Sequence, residues 1–362
     1  MKEYRINEDI KNAETIDSSF YKDEQTWELA KEKIFAQSWN YVGDHTSMLS
    51  GDNNVYPFTL LEKYLDEPLM LVRQDDQIQC YPNICTHRGF KLIQNPGKYN
   101  KMVCAYHGRK FNLNGEVEFM PEFKEVENFP RPCDHLSEVD IRTWNNTCFT
   151  SVNAATDFDK ISSILDKYLG FLPMNEFRNA SEYNEDYIVN AHWALYLENY
   201  LEGFHIPFVH SDLSNIIDYG SYKTEIFDHV VVQTGYSTGG SIKFDLPKGH
   251  PDFGQDVTAY YIWAYPNFMI NCYPWGVQYN IVRPVTPTRT RVKFIYYIWN
   301  QEIFDFMEAT KLADKTERED EFVVEEVQKG ISSRFYNTGR FSAKREKGVH
   351  YFQQLNAKYL NQ

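Results

Sequence analysis

Cys85-Thr86-His87-Arg88-Gly89 and, sixteen intervening residues after His87, Cys104-Ala105-Tyr106-His107-Gly108 are two short loops of similar make-up. Each offers one thiol and one imidazole, and each carries a glycine that lets the backbone turn tightly. Two thiolates suit one ferric iron and two imidazoles the other, and replacing two Cys by His lowers a cluster's negative charge and raises its potential. Zinc sites usually group a Cys pair before a His pair, whereas here the order alternates. The segment therefore reads as the cradle of a 2Fe-2S cluster. The six cysteines of the chain, Cys80, Cys85, Cys104, Cys133, Cys148 and Cys272, are too few and too scattered for a disulfide framework.

Outward from these loops, short apolar runs at 55–61, 69–72, 77–81, 101–105 and 147–152 alternate with turn residues such as Gly51-Asp52-Asn53-Asn54 and Asn112-Leu113-Asn114-Gly115. Such spacing predicts a small antiparallel β domain over 41–155. Before it, Trp27, Ala30, Ile34 and Phe35 recur near a helical repeat. They predict a helix over about 23–37, inside an N-terminal segment (1–40) that packs on the second domain. That domain, 156–362, reads as α+β: helices at 157–170 and 192–202, strands across 230–299, and a long last helix over about 301–329. The strand period is clearest at 291–298, where Val292, Phe294, Tyr296 and Ile298 share one face and Arg291 and Lys293 the other. A chain of 362 residues, 42% hydrophobic, is long enough for two cores.

Residues 197–210 read Leu-Glu-Asn-Tyr-Leu-Glu-Gly-Phe-His-Ile-Pro-Phe-Val-His. Glu202 and His205, three apart, are expected on one helix face. His210 falls about 140° further round an unbroken helix, so Pro207 is expected to kink or end the helix and swing His210 inward. Two imidazoles with one carboxylate form the facial set that holds Fe(II) and leaves positions open. The carboxylate must come from elsewhere. Among the six acids of 315–327, Asp320 shares a helical face with Val323, Val324 and Val327, where a carboxylate needs a cation beside it. Glu317 is its nearest competitor on that face. A one-electron cluster in the same chain strengthens this reading, because its electrons need a destination.

The first pair of loops closely resembles the Rieske domain, over roughly 41–150. With the second set of residues, the chain resembles the catalytic subunit of Rieske non-haem iron oxygenases over about 39–339. The family's two-histidine motif fits His205 and His210, and its distant aspartate fits Asp320, followed by Val-Gln-Lys-Gly at 327–330. The resemblance implies an N-terminal antiparallel β Rieske domain and a C-terminal antiparallel sheet gripped by helices. Cys85, His87, Cys104 and His107 would hold the 2Fe-2S cluster, and His205, His210 and Asp320 the mononuclear iron. Glu202 would be the electron-transfer bridge, with electrons passing from His107 through Glu202 to His205. In the family the cluster of one subunit serves its neighbour's iron, which implies a head-to-tail homotrimer.

Most ring-hydroxylating members have aspartate at the bridge. Glutamate there is similar to the branch acting on quaternary ammonium compounds such as choline, betaines and carnitine. Cation binding by aromatic faces would then draw on Tyr200, Phe204, Trp263, Tyr265, Tyr273 or Trp275, although most of the 26 Tyr, 25 Phe and 7 Trp serve ordinary packing. After His107 many relatives carry Gly-Trp. This chain has Gly108-Arg109-Lys110-Phe111 instead, a departure at the face expected to meet the reductase.

A formal charge of −14 without basic runs argues against nucleic acid as partner. The N-terminus lacks the apolar stretch of a secretory signal, and no uncharged run approaches the ~18 residues of a membrane span, so a cytoplasmic location is expected. The absence of a Gly-x-Gly-x-x-Gly fingerprint points to a separate NAD(P)H-dependent reductase. The competing readings are an aromatic ring dihydroxylase, a Rieske electron carrier with a passive second domain, and a zinc-binding interaction module.

Overall fold

The computed structural model describes residues 2–362. The chain divides into two compact units. One comprises the N-terminal residues through Phe35 together with Thr156–Gln362, and the other is Ala36–Ala155. The first boundary falls five residues before the sequence-based one at 40/41. Ala36 and Gln37 already belong to the smaller unit because their carbonyls accept from Asn153 (2.9 Å) and Ala155 (2.9 Å).

The smaller unit contains three antiparallel three-stranded sheets among the described residues. Val55–Leu60, Glu67–Gln74 and Gln77–Pro82 form a meander, and Met102–Val103, Lys110–Phe111 and Val117–Phe119 a second one. Asn40–Asp44, Thr147–Ser151 and Asp140–Trp144 pair as the third. Val55, Met70, Val72, Tyr81, Met102 and Phe111 meet in one core, and Cys85 and Cys104 are buried in the same cluster. The two loops that begin at these cysteines are thus anchored from within.

The larger unit is built on an eight-stranded antiparallel sheet. Its strand Val257–Ala264 is buried along its whole length, as a β-branched and aromatic run covered on both faces must be. On one face Tyr260 packs on Tyr168 of the helix Phe158–Leu169 (5.8 Å between centroids). On the other, Tyr261 packs on Tyr200 of the helix Trp193–Tyr200 (6.4 Å). No helix among the described residues is long and apolar enough to cross a membrane.

Several expectations are corrected here. The helix at 23–37 is instead Ser19–Lys22 and Glu24–Ala30 followed by a π-turn, Lys31–Phe35, because Asp23 caps a new start by accepting from the amides of Gln25 and Thr26. The helix at 301–329 is split into Gln301–Phe306 and Ala309–Ile331 by Glu308, which adopts φ 46°. The inward face of Ala309–Ile331 carries Glu317, Val324, Gln328 and Ile331, whereas Phe322 and Val327 are exposed. A C-terminal helix, Lys347–Leu360, escaped the sequence reading. Its buried His350, Gln353 and Asn356 interrupt the apolar repeat, and each instead fills a hydrogen bond: to Asn7 O (2.7 Å), from Ile16 N (2.7 Å) and from Tyr265 Oη (3.2 Å).

Gln353 also joins a carboxylate network. Glu198 Oε1 accepts from Tyr21 Oη (2.7 Å) and from Gln353 Nε2 (2.9 Å). Desolvation outweighs these two bonds and pushes the Glu198 carboxyl up to about 7. Since the folded-state value lies above the ordinary 4.5, the stability Glu198 contributes is complete below the ordinary value and is lost as pH rises through the folded one. Glu198→Gln, which cannot ionise, should match the wild type in thermal unfolding at acidic pH. It should become the more stable protein by on the order of 1 kcal/mol at pH above the folded value, allowing for partial solvent screening.

Candidate active site

In the smaller unit the two loops close in the same way. Gly89 N donates to Cys85 O (2.9 Å) and Cys85 N to Phe90 O (2.8 Å), while Gly108 N donates to Cys104 O (2.9 Å) and Cys104 N to Arg109 O (2.8 Å). Gly89 and Gly108 sit at φ 70° and 74°, where a Cβ would be strained. The loops bring the two thiols together and, separately, the two imidazoles. Both cysteines are buried, and burial, with the neighbouring Cys104 thiol adding to it, pushes the Cys85 thiol up. The His87 and His107 rings stand 5.0 Å apart at 75°. His107 Nδ1 is buried without a hydrogen-bond partner, and burial followed by the Arg109 charge lowers the His87 pKa. Two adjoining thiols and two imidazoles, one with an orphaned nitrogen, fit a 2Fe-2S cluster of mixed ligation.

Arg109, the first residue at which the Gly-Arg-Lys-Phe segment departs from Gly-Trp, is buried at 1% exposure. Its Nη1 donates to Thr86 Oγ1 (2.8 Å), and its guanidinium lies over Phe123 (5.5 Å) and Phe129 (5.2 Å). Asp134 approaches to 3.9 Å.

In the larger unit the helix Trp193–Tyr200 ends before Glu202, so Glu202 and His205 do not share a helix face. The chain turns at Gly203, where a Cβ would come within 2.7 Å of the Tyr222 ring. Pro207 does not break the helix either. It lies in the first turn of a new short helix, Ile206–Val209, which His205 precedes, a position where proline's missing N–H costs nothing. His210 links this turn to the next, Ser211–Ile216.

The result is convergence. His205 Nε2 and His210 Nε2 are 3.2 Å apart, and Asp320 Oδ1 lies 3.0 Å from His210 Nε2 and 3.5 Å from His205 Nε2. Behind them, His205 Nδ1 donates to Glu202 Oε1 (2.6 Å) and His210 Nδ1 to Glu319 Oε2 (2.7 Å). With both Nδ1 protons so engaged, both Nε2 atoms present lone pairs to one another and to a carboxylate, a donor set that calls for a cation. Asn199 Nδ2 steadies Asp320 Oδ1 (2.7 Å). Glu317 is not part of this group; Tyr196 Oη donates to its Oε2 (2.5 Å). Glu319 was missed in the sequence, where nothing distinguishes it from its acidic neighbours.

The three donors lie on the wall of a cavity enclosing about 950 Å³ of empty space, part of it open to solvent. Of the six aromatic residues singled out above, Tyr200, Tyr273 and Trp275 line it. Phe204 is 40% exposed and outside it, Trp263 is roofed by Phe352 (5.4 Å) and Tyr265 stacks on Tyr359 (5.0 Å). Trp263 and Tyr265 are covered by the C-terminal helix, and that helix is what the sequence reading lacked. Tyr196, Tyr222 and Tyr261 line the cavity in their stead.

Fold and donor sets belong to the class of iron oxygenases with two metal centres. Residues 38–130 match the Rieske 2Fe-2S domain and residues 177–362 match the ring hydroxylating alpha subunit, catalytic domain. The chain belongs to the ring-hydroxylating alpha-subunit family, and it is a Rieske non-haem iron oxygenase component carrying a 2Fe-2S cluster and a mononuclear iron. Members work with dioxygen, a separate reductase and a small organic substrate. Choline monooxygenase of Arabidopsis thaliana is 28% identical over 96% of this chain and 83% of its own length. The carnitine monooxygenase oxygenase subunit of Escherichia coli K12 is 27% identical over 95% and 93%. Among solved structures, a quaternary ammonium Rieske monooxygenase shares the fold with a TM-score of 0.77, 24% identity and coverage of 99% and 100% of the two chains. Naphthalene 1,2-dioxygenase with indole bound gives 0.70, 15%, 96% and 92%.

Removing the buried positive charge beside the cluster loops should make the cluster harder to reduce. Arg109→Met is expected to lower the cluster potential in an electron paramagnetic resonance titration while leaving the cluster's iron content unchanged.

Proposed function

We propose that this chain hydroxylates or N-dealkylates a small quaternary ammonium compound. The observation that carries the reading is a two-histidine, one-carboxylate site opening onto a cavity walled by tyrosines and a tryptophan, since aromatic faces attract quaternary ammonium groups. Names of relatives that act on choline and carnitine point the same way. In this reading Cys85, His87, Cys104 and His107 hold the cluster, and His205, His210 and Asp320 hold the iron. When bound, the two centres supply single electrons and a place to activate dioxygen.

The chain's own residues then do the positioning. Glu202 fixes the His205 ring through Nδ1 and offers the carboxylate through which electrons arriving at His107 of a neighbouring subunit reach His205, within a head-to-tail homotrimer. Glu319 fixes the His210 ring in the same manner, which sets the tautomer and aims Nε2. The cavity aromatics exclude water around the substrate. An aromatic ring as substrate is the second reading, favoured by the same walls and by the fold shared with naphthalene 1,2-dioxygenase.

The purified protein, supplied with a reductase, should couple oxygen uptake to product from a methylammonium compound and not from benzoate. Isotopic dioxygen should place one labelled atom per turnover in the oxygenated product, the alcohol of hydroxylation or the carbonyl fragment of dealkylation; two atoms in one product would decide for ring dihydroxylation. Glu202→Gln should retain both metals by iron analysis yet lose turnover by about 10- to 100-fold. His210→Ala should lose the mononuclear iron and keep the cluster's visible spectrum.

A further inference from the structure

Four carboxylates are gathered around the metal site and its cavity, and three are committed. Asp320 faces the two Nε2 atoms, Glu202 accepts a hydrogen bond from His205 Nδ1, and Glu319 accepts one from His210 Nδ1. Glu317 is the fourth. It is 2% exposed, it is a wall residue of the cavity, and only its Oε2 is bonded, to Tyr196 Oη at 2.5 Å. Oε1 is buried without a hydrogen-bond partner. The neighbouring guanidinium of Arg318 is engaged by Glu321 (2.9 Å) and Asp314 (3.6 Å).

An acid buried in this way must stay protonated or receive a cation. Burial holds its carboxyl well above the usual range, so an ionised Glu317 requires positive charge nearby. Apart from the iron that His205, His210 and Asp320 would hold, the cavity wall supplies none, because it includes neither lysine nor arginine. Two other wall residues carry a buried oxygen without a hydrogen-bond partner, the acceptor Asn280 Oδ1 and the hydroxyl Tyr261 Oη.

We propose that Glu317 is the counter-ion for the ammonium group of the substrate, and that the cavity selects cationic ammonium compounds that carry no carboxylate. This rests on the reading of the site as an ammonium oxidiser and narrows it. A trimethylammonium group has no N–H to donate, so its attraction to Glu317 is Coulombic, spread over polarised methyl hydrogens and strengthened by the dry surroundings. The aromatic rings supply the remaining contact surface. A betaine or carnitine brings in a second charge, a carboxylate that finds no lysine or arginine on a wall already carrying Glu317, Asp320 and Glu202. Burying an unpaired carboxylate beside like charges costs more than the ammonium contact returns. A hydroxyl at the same position costs nothing of this kind and can donate to Asn280 Oδ1.

The test is equilibrium binding to the metal-replete, anaerobic protein by isothermal titration calorimetry. The probes are choline, its neutral carbon isostere 3,3-dimethyl-1-butanol, glycine betaine and L-carnitine. Wild-type protein should bind choline about tenfold or more tighter than each of the other three. Glu317→Gln should weaken choline by about thirtyfold or more, the scale of a desolvated charge contact, and leave the neutral isostere within about threefold. Glu317→Asp, which keeps the charge, should retain the preference for choline over its isostere. Unchanged choline binding in Glu317→Gln overturns the proposal, as does wild-type binding of carnitine or betaine as tight as that of choline, a comparison that needs no variant. Either result, with ammonium compounds still bound, leaves the ammonium reading standing. Wild-type protein that binds none of the three ammonium probes overturns both.

Discussion

Two imidazole nitrogens 3.2 Å apart, with a carboxylate oxygen at 3.0 and 3.5 Å, form an arrangement that needs positive charge at its centre, whether a proton or a metal ion. Much of the larger unit serves to hold it. Glu202 and Glu319 keep the Nδ1 protons away from the metal side, so the nitrogens that converge are the basic ones. Had the helix Trp193–Tyr200 continued through Glu202, as its residues permit, His205 and His210 would point in different directions. The turn at Gly203, pressed against Tyr222, and the short helix that follows let both rings face Asp320.

The long helix Ala309–Ile331 supplies the opposite side of the same constraint. It delivers Asp320 to the His205 and His210 nitrogens, Glu319 to the ring of His210, and Glu317 to the cavity three residues before Asp320. These residues occupy different parts of the inner face, so one rigid element sets the spacing between the metal site and the charged part of the cavity wall. The same helix anchors the neighbouring one: Gln328 Oε1 accepts from His192 N (2.8 Å) at the start of Trp193–Tyr200. An inner face built from Glu317, Asp320 and Gln328 costs apolar burial, and every one of them is used.

In the smaller unit the loops are nearly self-sufficient. Their hydrogen bonds are local, each glycine adopts the left-handed backbone its position requires, and the thiols are part of the domain core. The unusual member is Arg109, a cation held in the interior by a hydroxyl, two rings and a carboxylate at 3.9 Å. Its presence means that the loops' electrostatics differ from those of relatives with an aromatic residue at that point.

The sequence by itself determined the donor types, their order and the division into strand-rich and mixed segments. Cys85, His87, Cys104 and His107 lie within two local loops, and short-range spacing is written directly into a chain. Asp320 was legible as an acid on an inward helix face, although Val327, one of the residues used to define that face, is in fact exposed. Tertiary structure alone decided what needed partners from far along the chain. The break before Glu202 depends on Tyr222, the capture of His210 on Glu319, the exclusion of Trp263 and Tyr265 from the cavity on the C-terminal helix, and the solitary position of Glu317 on Tyr196. In each case the deciding contact joins residues distant in sequence, and helical or strand periodicity carries no information about which distant residue will be waiting.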